Sequence, residues 1–256
     1  MSKDFSTLDF SSNADLDRCR SYLVSQTKEE ARVRRSGPGP AITVSSLTGA
    51  GEHEVAKRLA SILQAQEPGG TAPWTVFDRD LVEKVLDDHF LPKEMAKFIP
   101  EDRRGFIHDA LEEIMGLHPP AWVMVPQIVE TVLQLADAGQ VILVGRGASY
   151  ITTRLENVFH ARLIAPLASR VERVSRIENL PLKAAAKFVA QHDRGRSRYA
   201  KAYFHSRPDD DLLYHLVINT DRIPCPAAAQ LIAEQAQKCF LQNDANSQPA
   251  HERNST

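Results

Sequence analysis

Five short apolar runs, spread over residues 42–218, are the feature that most constrains how this chain can fold. Each run has the length and composition of a β-strand, and none alternates cleanly between apolar and polar residues. This pattern is typical of parallel strands that helices cover on both faces. The runs are Ile42-Thr43-Val44, Trp74-Thr75-Val76-Phe77, Val141-Ile142-Leu143-Val144, Arg162-Leu163-Ile164 and Leu216-Val217-Ile218.

The segments between these runs have the apolar spacing of helices. After the first run the spaced residues are Val55, Leu59, Ile62 and Leu63. Before the third run they are Trp122, Val125, Val129, Val132, Leu133 and Ala136. Further helices are predicted over residues 167–178, 181–192 and 226–238. The alternation indicates an α/β fold with a five-stranded parallel sheet and helices on both faces.

The composition of the 256 residues argues against several classes of protein. Hydrophobic residues at 43% and charged residues at 25% are near the globular average, which disfavours wholesale disorder. The 31 basic and 33 acidic residues leave a net charge of −2, so no general attraction to nucleic acid or to an anionic membrane is expected. The longest apolar stretches fall far short of the roughly 20 residues that span a bilayer.

The cysteines indicate the cell compartment, and the absence of certain motifs disfavours some classes of enzyme. Cys19, Cys225 and Cys239 are an odd number without C-x-x-C spacing, which is typical of a reducing compartment. The first residues do not have the pattern of a secretory signal, so we expect a soluble, cytoplasmic protein. The sequence contains neither H-E-x-x-H nor G-x-S-x-G, which disfavours metal hydrolases and serine-triad hydrolases.

The sequence predicts three parts. Residues 1–40 form an N-terminal extension, with a possible helix over 14–34 and a linker of glycine and proline at its end. Residues 41–240 form the core, and the polar residues 241–256 are expected to be a disordered tail. The roughly 60 residues between Asp78 and Val141 are too many for a simple crossover, so we expect a helical insertion over 79–140.

A glycine-containing turn follows the first run and opens directly into a helix. Its candidate residues are Thr48, Gly49, Ala50, Gly51, Glu52 and His53. Ligands of parallel sheets bind at the carboxyl ends of the strands, and the free N–H groups of a helix start favour a phosphate. A plain strand-to-helix turn has the same pattern, so both interpretations stay open at this point.

Two more candidates follow the second and third runs. Asp78 could hydrogen-bond a nucleotide group, or it could cap a helix that starts near Leu81. Gly145, Arg146 and Gly147 place an arginine between glycines that let a ligand approach the backbone. This arrangement favours an anion-binding arginine over a purely structural one.

Arginines recur every three residues on the predicted helix after the fourth run. They are Arg170, Arg173 and Arg176. An ordinary solvated helix face is an equally good interpretation of this spacing.

A second group of arginines, Arg194, Arg196 and Arg198, lies with Gly195 within five residues. Such a segment is typical of a mobile cationic element that closes over phosphate charge. Asp193 is a candidate salt-bridge partner for it.

In their order along the chain, these features resemble the cytidylate kinase-like family of P-loop nucleoside monophosphate kinases. The resemblance covers roughly residues 42–234, and residues 193–204 and 214–220 match that family's lid and last strand most specifically. It rests on the glycine turn, Asp78, Gly145-Arg146-Gly147, Ala165-Pro166, Asp193-Arg194-Gly195-Arg196-Ser197-Arg198-Tyr199 and Val217-Ile218-Asn219-Thr220.

The resemblance implies a P-loop kinase sheet, a helical monophosphate-binding insertion over 79–140 and an arginine-rich lid over 193–207. The implied reaction transfers the γ-phosphoryl group of ATP, with Mg²⁺, to a pyrimidine nucleoside monophosphate, CMP or dCMP. The implied ATP site comprises the turn residues Thr48 to His53, with Gly49 and Gly51 cradling the phosphates and Asn219 and Thr220 near the adenine.

The resemblance also assigns the other candidates. Asp78 and Gly145-Arg146-Gly147 would face the monophosphate. The catalytic arginines would be Arg170, Arg173, Arg194, Arg196 and Arg198, which would clamp the transferring group. The metal ligands are not identified by the sequence.

The first half of the chain departs from the Walker pattern, G-x-x-x-x-G-K-[S/T]. Glu52 and His53 stand where that motif has its lysine and its Ser or Thr. A carboxylate there opposes anion binding unless it points away, caps the helix or pairs with a lid arginine.

Two other functions therefore stay open. A nucleotide-binding regulatory protein on the same fold would bind without turnover. An NAD-binding oxidoreductase would share the first glycine turn and the acid after the second strand. The missing third glycine, the long insertion and the arginine lid count against the oxidoreductase.

Overall fold

Five parallel strands form one sheet in the order β2-β3-β1-β4-β5. The computed structural model describes residues 38–66, 73–78, 124–145, 147–204 and 210–247. The strands are β1 (Ala41–Ser46), β2 (Thr75–Phe77), β3 (Val141–Val144), β4 (Val158–Ile164) and β5 (Leu216–Asn219). The predicted parallel sheet is therefore confirmed, and β1 is its central strand.

Helices connect the strands and cover the sheet. They are α1 (Glu52–Gln66), α2 (Met124–Ala138), α3 (Ala148–Ile151), α4 (Leu167–Ile177), α5 (Leu182–Phe204) and α6 (Cys225–Ser247). A single 3₁₀ turn, Asp211–Leu213, precedes β5. In the part of the chain that the structure describes, no helix has both the length and the apolar character needed to cross a membrane.

One face of the sheet packs against α1 and α6 to form the main apolar core. Ile42 and Val44 point to this face from β1, and they meet Leu59 of α1 and Ile232 of α6. These side chains are almost completely buried, and each contributes about 1.5–3 kcal/mol through removal of apolar surface from water. This core fixes β1, and with it the turn that leads into α1.

The opposite face of β1 carries a buried polar network. Thr43 Oγ1 lies 3.1 Å from Ser149 Oγ of α3 and 2.8 Å from His160 Nδ1 of β4. The backbone N–H of His160 donates to His215 Nδ1 at 2.9 Å, and the two imidazole rings stack with their centroids 5.3 Å apart. Burial and the neighbouring His215 lower the pKa of His160 to about 4, so the network holds a neutral histidine.

At the amino edge of the sheet, the chain enters β1 through a close glycine contact. The Gly39 N–H donates to Asp137 O, and the Asn157 side-chain amide donates to Gly39 O at 2.7 Å. A Cβ on Gly139 would collide with the Gly39 backbone, and Gly139 has a φ of +79°. The entry point of β1 is thus tied to the end of α2.

The sequence misplaces the ends of two helices. The helix predicted to end at His192 continues through Gly195 to Phe204, so residues 193–204 of the expected mobile segment are helical. A glycine inside a helix costs about 1 kcal/mol, and contacts of α5 described below offset this cost. The last helix continues from the predicted end at Lys238 to Ser247, so residues 241–247 are helical and not a disordered tail. The predictions for residues 1–37 and 79–123 lie outside the described residues.

We expect His160 to make stability pH-dependent. Its folded-state pKa of about 4 is below its usual value of about 6.5, so the unfolded chain binds the proton first. The stabilisation is present above pH 6.5 and is lost as the pH falls toward 4. The unfolding free energy should fall by on the order of 2 kcal/mol between pH 7 and pH 5.

Urea unfolding at several pH values checks this expectation. His160→Gln should remove most of the slope, whereas His192→Gln, at an exposed position on α5, should retain it. An unchanged slope in His160→Gln would contradict the assignment.

Candidate functional site

The turn between β1 and α1, residues 46–53, lies at the centre of the carboxyl edge of the sheet; we call it the glycine loop. Gly49 and Gly51 have φ values of +81° and +95°, which side-chain-bearing residues rarely adopt. A Cβ on Gly49 would lie 2.8 Å from Arg170 O, and one on Gly51 would lie 2.6 Å from Cys225 Sγ. Both conformation and space therefore require glycine at these positions.

The glycine loop presents polar groups suited to an anion. Within the described residues, the amides of Gly49 and Gly51 have no hydrogen-bond acceptor. Thr48 Oγ1 is buried and likewise has no partner there. Amides of positive-φ glycines at a helix start form a concave site with partial positive charge. The loop can thus donate hydrogen bonds to phosphate oxygens.

Three arginines donate to carbonyls of the glycine loop. From α4, Arg170 donates to Thr48 O at 3.1 Å and Arg173 donates to Gly49 O at 2.8 Å. From α5, Arg196 donates to Ser46 O at 2.6 Å and to Ser46 Oγ at 2.9 Å. These contacts place three guanidinium groups around the loop and stabilise its shape.

Asp193 joins α5 to the glycine loop and to α4. Its Oδ1 accepts the Thr48 N–H at 3.0 Å, and its Oδ2 accepts Arg170 Nη1 at 2.7 Å. Burial alone would raise the pKa of Asp193, but hydrogen bonds from Thr48 and Arg170 hold this pKa below its usual value. The sequence predicts a salt bridge between Asp193 and the arginine segment 194–198; in the structure Asp193 pairs instead with Arg170 of α4.

Glu52, at the position of the Walker lysine, pairs with Arg196. Its Oε1 lies 3.2 Å from Arg196 Nη2. Burial would raise the pKa of Glu52, but the positive charge of Arg196 lowers it overall, so the carboxylate is ionised. Of the three arrangements that the sequence allows for this carboxylate, the structure shows the ion pair with an arginine of the predicted lid.

His53, the last residue of the glycine loop, lies beside Asp78, with its Nδ1 4.0 Å from Asp78 Oδ2. Mg²⁺ in phosphate sites is usually held by one or two carboxylates together with phosphate oxygens. Asp78 is therefore a described carboxylate that could contact a cation bound to a phosphate in the loop, with His53 beside it. No cluster of three or more His, Cys, Asp or Glu side chains suited to a metal occurs among the residues that the structure describes.

The remaining predicted site residues are divided between the loop and the surface. Thr220 Oγ1 donates to Ala50 O at 2.8 Å, and it thereby ties the end of β5 to the loop. Asn219 Oδ1 accepts the Asp221 N–H at 3.0 Å. Arg194 is exposed and donates to Ala190 O within α5, and Arg198 is exposed as well.

The predicted site after β3 is only partly described. Gly145 and Gly147 both have positive φ, at +72° and +73°, and the Gly145 N–H donates to Val44 O beside the glycine loop. Arg146 lies outside the described residues, so its role stays a prediction.

Two sets of contacts in the site were not predicted from the sequence. Ser46 receives Arg196, and Asp193 binds the loop amide as well as an arginine. The signal for Asp193 is its spacing from Arg196. Residues three apart share one helix face, and a helix continued through Gly195 would have placed both on the loop side.

We expect Asp193→Asn to lower the unfolding free energy by about 1–3 kcal/mol at neutral pH, because the amide lacks the charge that engages Arg170. The pKa of Asp193 is lowered in the folded state, so its contribution is present above about pH 4 and lost below it. Urea unfolding at pH 7 and near pH 3 checks both statements. Asp211→Asn, at an exposed position, is the control and should change stability by less than about 0.5 kcal/mol. A variant as stable as wild type at pH 7 would contradict this role.

Comparisons with known proteins place this site in a family. The sequence profile described as the cytidylate kinase-like family matches residues 41–222, more than half of the chain. A curated relative, a uronate isomerase of Corynebacterium glutamicum, is 34% identical over 111 residues. That match covers 43% of this chain and 21% of the relative, so the chain spans about a fifth of the relative's length.

A solved structure with a TM-score above 0.5 supports the fold. An uncharacterized protein from Eubacterium ventriosum has a TM-score of 0.60 at 19% identity, and the match covers 78% of this chain and 98% of that one. A shikimate kinase from Bacteroides thetaiotaomicron has a TM-score of 0.40 at 15% identity, covering 79% and 98% of the two chains. The family match extends from the start of β1 past the end of β5 and includes the glycine loop, Asp193 and the arginines around them. Because the family profile matches more than half of the chain, including all five parallel strands, the chain belongs to the cytidylate kinase-like family.

Proposed function

We propose that the protein is a nucleoside monophosphate kinase that transfers the γ-phosphoryl group of ATP to CMP or dCMP. The observation that carries this proposal is the glycine loop, with its unpaired amides among three guanidinium groups. Phosphoryl transfer needs little covalent chemistry from the protein and depends mainly on positioning and positive charge. This arrangement supplies both.

The triphosphate of ATP would bind the glycine loop. The amides of Gly49 and Gly51 and the hydroxyl of Thr48 would donate hydrogen bonds to its oxygens, and Arg173 would neutralise charge beside them. Asn219 ends β5 and Thr220 follows it, and both would lie along the path toward the adenine. Mg²⁺ would be held mainly by phosphate oxygens, with Asp78 and His53 beside it, and would neutralise charge on the phosphates.

The acceptor monophosphate would bind on the β2-β3 side of the loop. Asp78 follows β2, and Gly145 follows β3 beside Val44. Arg146, between two positive-φ glycines, would then bind the monophosphate. The choice of a pyrimidine acceptor is supported by family membership.

The five proposed catalytic arginines differ in what they can do. Arg170 is buried and engaged by Thr48, Ala165 and Asp193, so it is a positioning residue for the loop. Arg173 and Arg196 are only partly enclosed and can contact phosphate. Arg194 and Arg198 would have to approach the nucleotides from their exposed positions on α5.

A regulatory protein that binds nucleotides without turnover is the second candidate. The observation that favours it is the presence of Glu52 and His53 at the two Walker positions. Membership of the cytidylate kinase-like family argues against the NAD-binding oxidoreductase.

A coupled assay of ADP release, together with calorimetric titration of each nucleotide, separates the two candidates. We expect ADP release with ATP and Mg²⁺ that is faster with CMP or dCMP than with AMP. Binding of both nucleotides without ADP release would instead establish the regulatory protein. A chain that binds NAD but no CMP would contradict both.

We expect Arg146→Ala to weaken CMP binding by about 1.5–3 kcal/mol, roughly 10- to 150-fold, because it removes a charged hydrogen bond to the monophosphate. Arg176→Ala, which removes an exposed arginine of α4, is the matched control and should bind CMP like wild type. Calorimetric titration measures both. Equal CMP affinity in Arg146→Ala and wild type would exclude Arg146 from the acceptor site.

A further inference from the structure

The glycine loop has the Walker spacing without the Walker cation. Ser46 and Gly51 are five residues apart, like the two glycines of that motif, and Glu52 and His53 follow them. In a Walker loop the next residue is a lysine that reaches the β and γ phosphates. A loop that receives a triphosphate therefore needs its positive charge from another element.

Arg196 of α5 spans the two ends of this loop. Its Nη1 donates to Ser46, the first residue of the loop, and its Nη2 contacts Glu52 at the lysine position. The guanidinium is thus fixed beside the position that a Walker lysine would occupy. It is carried by a residue 144 positions later in the chain than Glu52.

The fixed guanidinium can still reach a ligand. Arginine has five N–H donors, and Arg196 bonds to Ser46 and Glu52 through Nη1 and Nη2. Within the described part of the chain its Nε has no acceptor, and 42% of the side chain is exposed. Glu52 is enclosed, with 10% of its side chain exposed. The cation of the pair therefore faces the solvent and the anion lies behind it.

The same helix face makes a second contact with the loop. Asp193, three residues before Arg196, accepts the Thr48 N–H and binds Arg170. Side chains three apart on a helix lie on one face, so one docked position of α5 makes both contacts. When α5 is packed against the loop, Asp193 fixes the shape of the loop and Arg196 supplies its positive charge.

We propose that Arg196, held in place by Glu52, replaces the Walker lysine in this chain as the cation that binds the triphosphate. Glu52 is then a positioning residue for Arg196, and its negative charge does not repel the nucleotide. This inference rests on the proposed function only in that a triphosphate binds the glycine loop.

A series of variants that moves the positive charge from residue 196 to residue 52 tests this role. Binding of MgATP and of inorganic tripolyphosphate is measured by calorimetry for each variant. Arg196→Ala should weaken both ligands by at least tenfold, because the phosphates lose a cation and Glu52 loses its partner. The double variant Glu52→Lys with Arg196→Ala should bind within about threefold of wild type, because the lysine returns the charge to its Walker position. Glu52→Lys alone should show no gain, because the lysine repels Arg196.

Two controls separate this role from a purely structural one. Lys201→Ala removes an exposed cation from the same helix and should leave both affinities unchanged. Arg196→Lys keeps the positive charge but lacks the planar guanidinium with its several N–H donors. Its affinity should lie between those of wild type and Arg196→Ala. If Arg196→Ala is unfolded by circular dichroism, Arg196→Lys and the double variant provide the decision.

The outcomes are distinct. Equal affinity for tripolyphosphate in Arg196→Ala and wild type would overturn the inference and leave the kinase proposal standing. A double variant no better than Arg196→Ala would also overturn it. Tripolyphosphate binding that follows the series, without transfer to CMP, would support the inference and contradict the kinase. A wild-type chain that binds neither MgATP nor tripolyphosphate would contradict both.

Discussion

The carboxylate of Asp193 is the group on which the geometry of the site depends. One oxygen accepts the Thr48 amide and the other accepts Arg170, which in turn donates to the carbonyl of Thr48. Thr48 is therefore held at both its N–H and its C=O by side chains from α5 and α4. A buried ion pair of this kind costs desolvation energy, and removal of one partner alone is more costly than absence of the pair. The two positive-φ glycines that follow Thr48 take their orientation from this anchor.

The charge around the glycine loop comes from distant parts of the chain. Arg173 belongs to α4 and Arg196 to α5, and each reaches the loop across more than a hundred residues of sequence. A lysine within the loop would place its positive charge there whether or not the rest of the chain is folded. Here the positive potential exists only where β1, α4 and α5 are packed together. The charge of the loop is thus coupled more closely to tertiary structure than in a loop that contains its own cation.

The sheet could be predicted from the sequence because its strands are buried on both faces. The runs in β1 and β3, for example, identify strands that the structure extends by a few residues at most. The start of β4 was missed, because His160 interrupts the apolar run and its burial depends on Thr43 and His215. Local sequence cannot report such a network.

The site was predictable in its parts and not in its assembly. The glycine loop and the arginines were identified by residue type, but spacing alone did not separate a solvated arginine face from a binding one. Arg170 is buried while Arg176 is exposed, although both belong to the same series on α4. The continuation of α5 beyond His192 was missed because Gly195 disfavours a helix locally, whereas Asp193 and Arg196 make their contacts only in the folded chain.

The contact between Gly39 and Gly139 determines where a surface tether joined to the amino side of the domain would attach. It fixes the entry of the chain at the amino edge of the sheet, and the six residues of β1 then cover about 20 Å to the glycine loop. A tether attached just before residue 38 would therefore hold the molecule at the amino edge of the sheet, opposite the glycine loop. On a sensor surface, such a mounting would present the carboxyl edge of the sheet outward to solution.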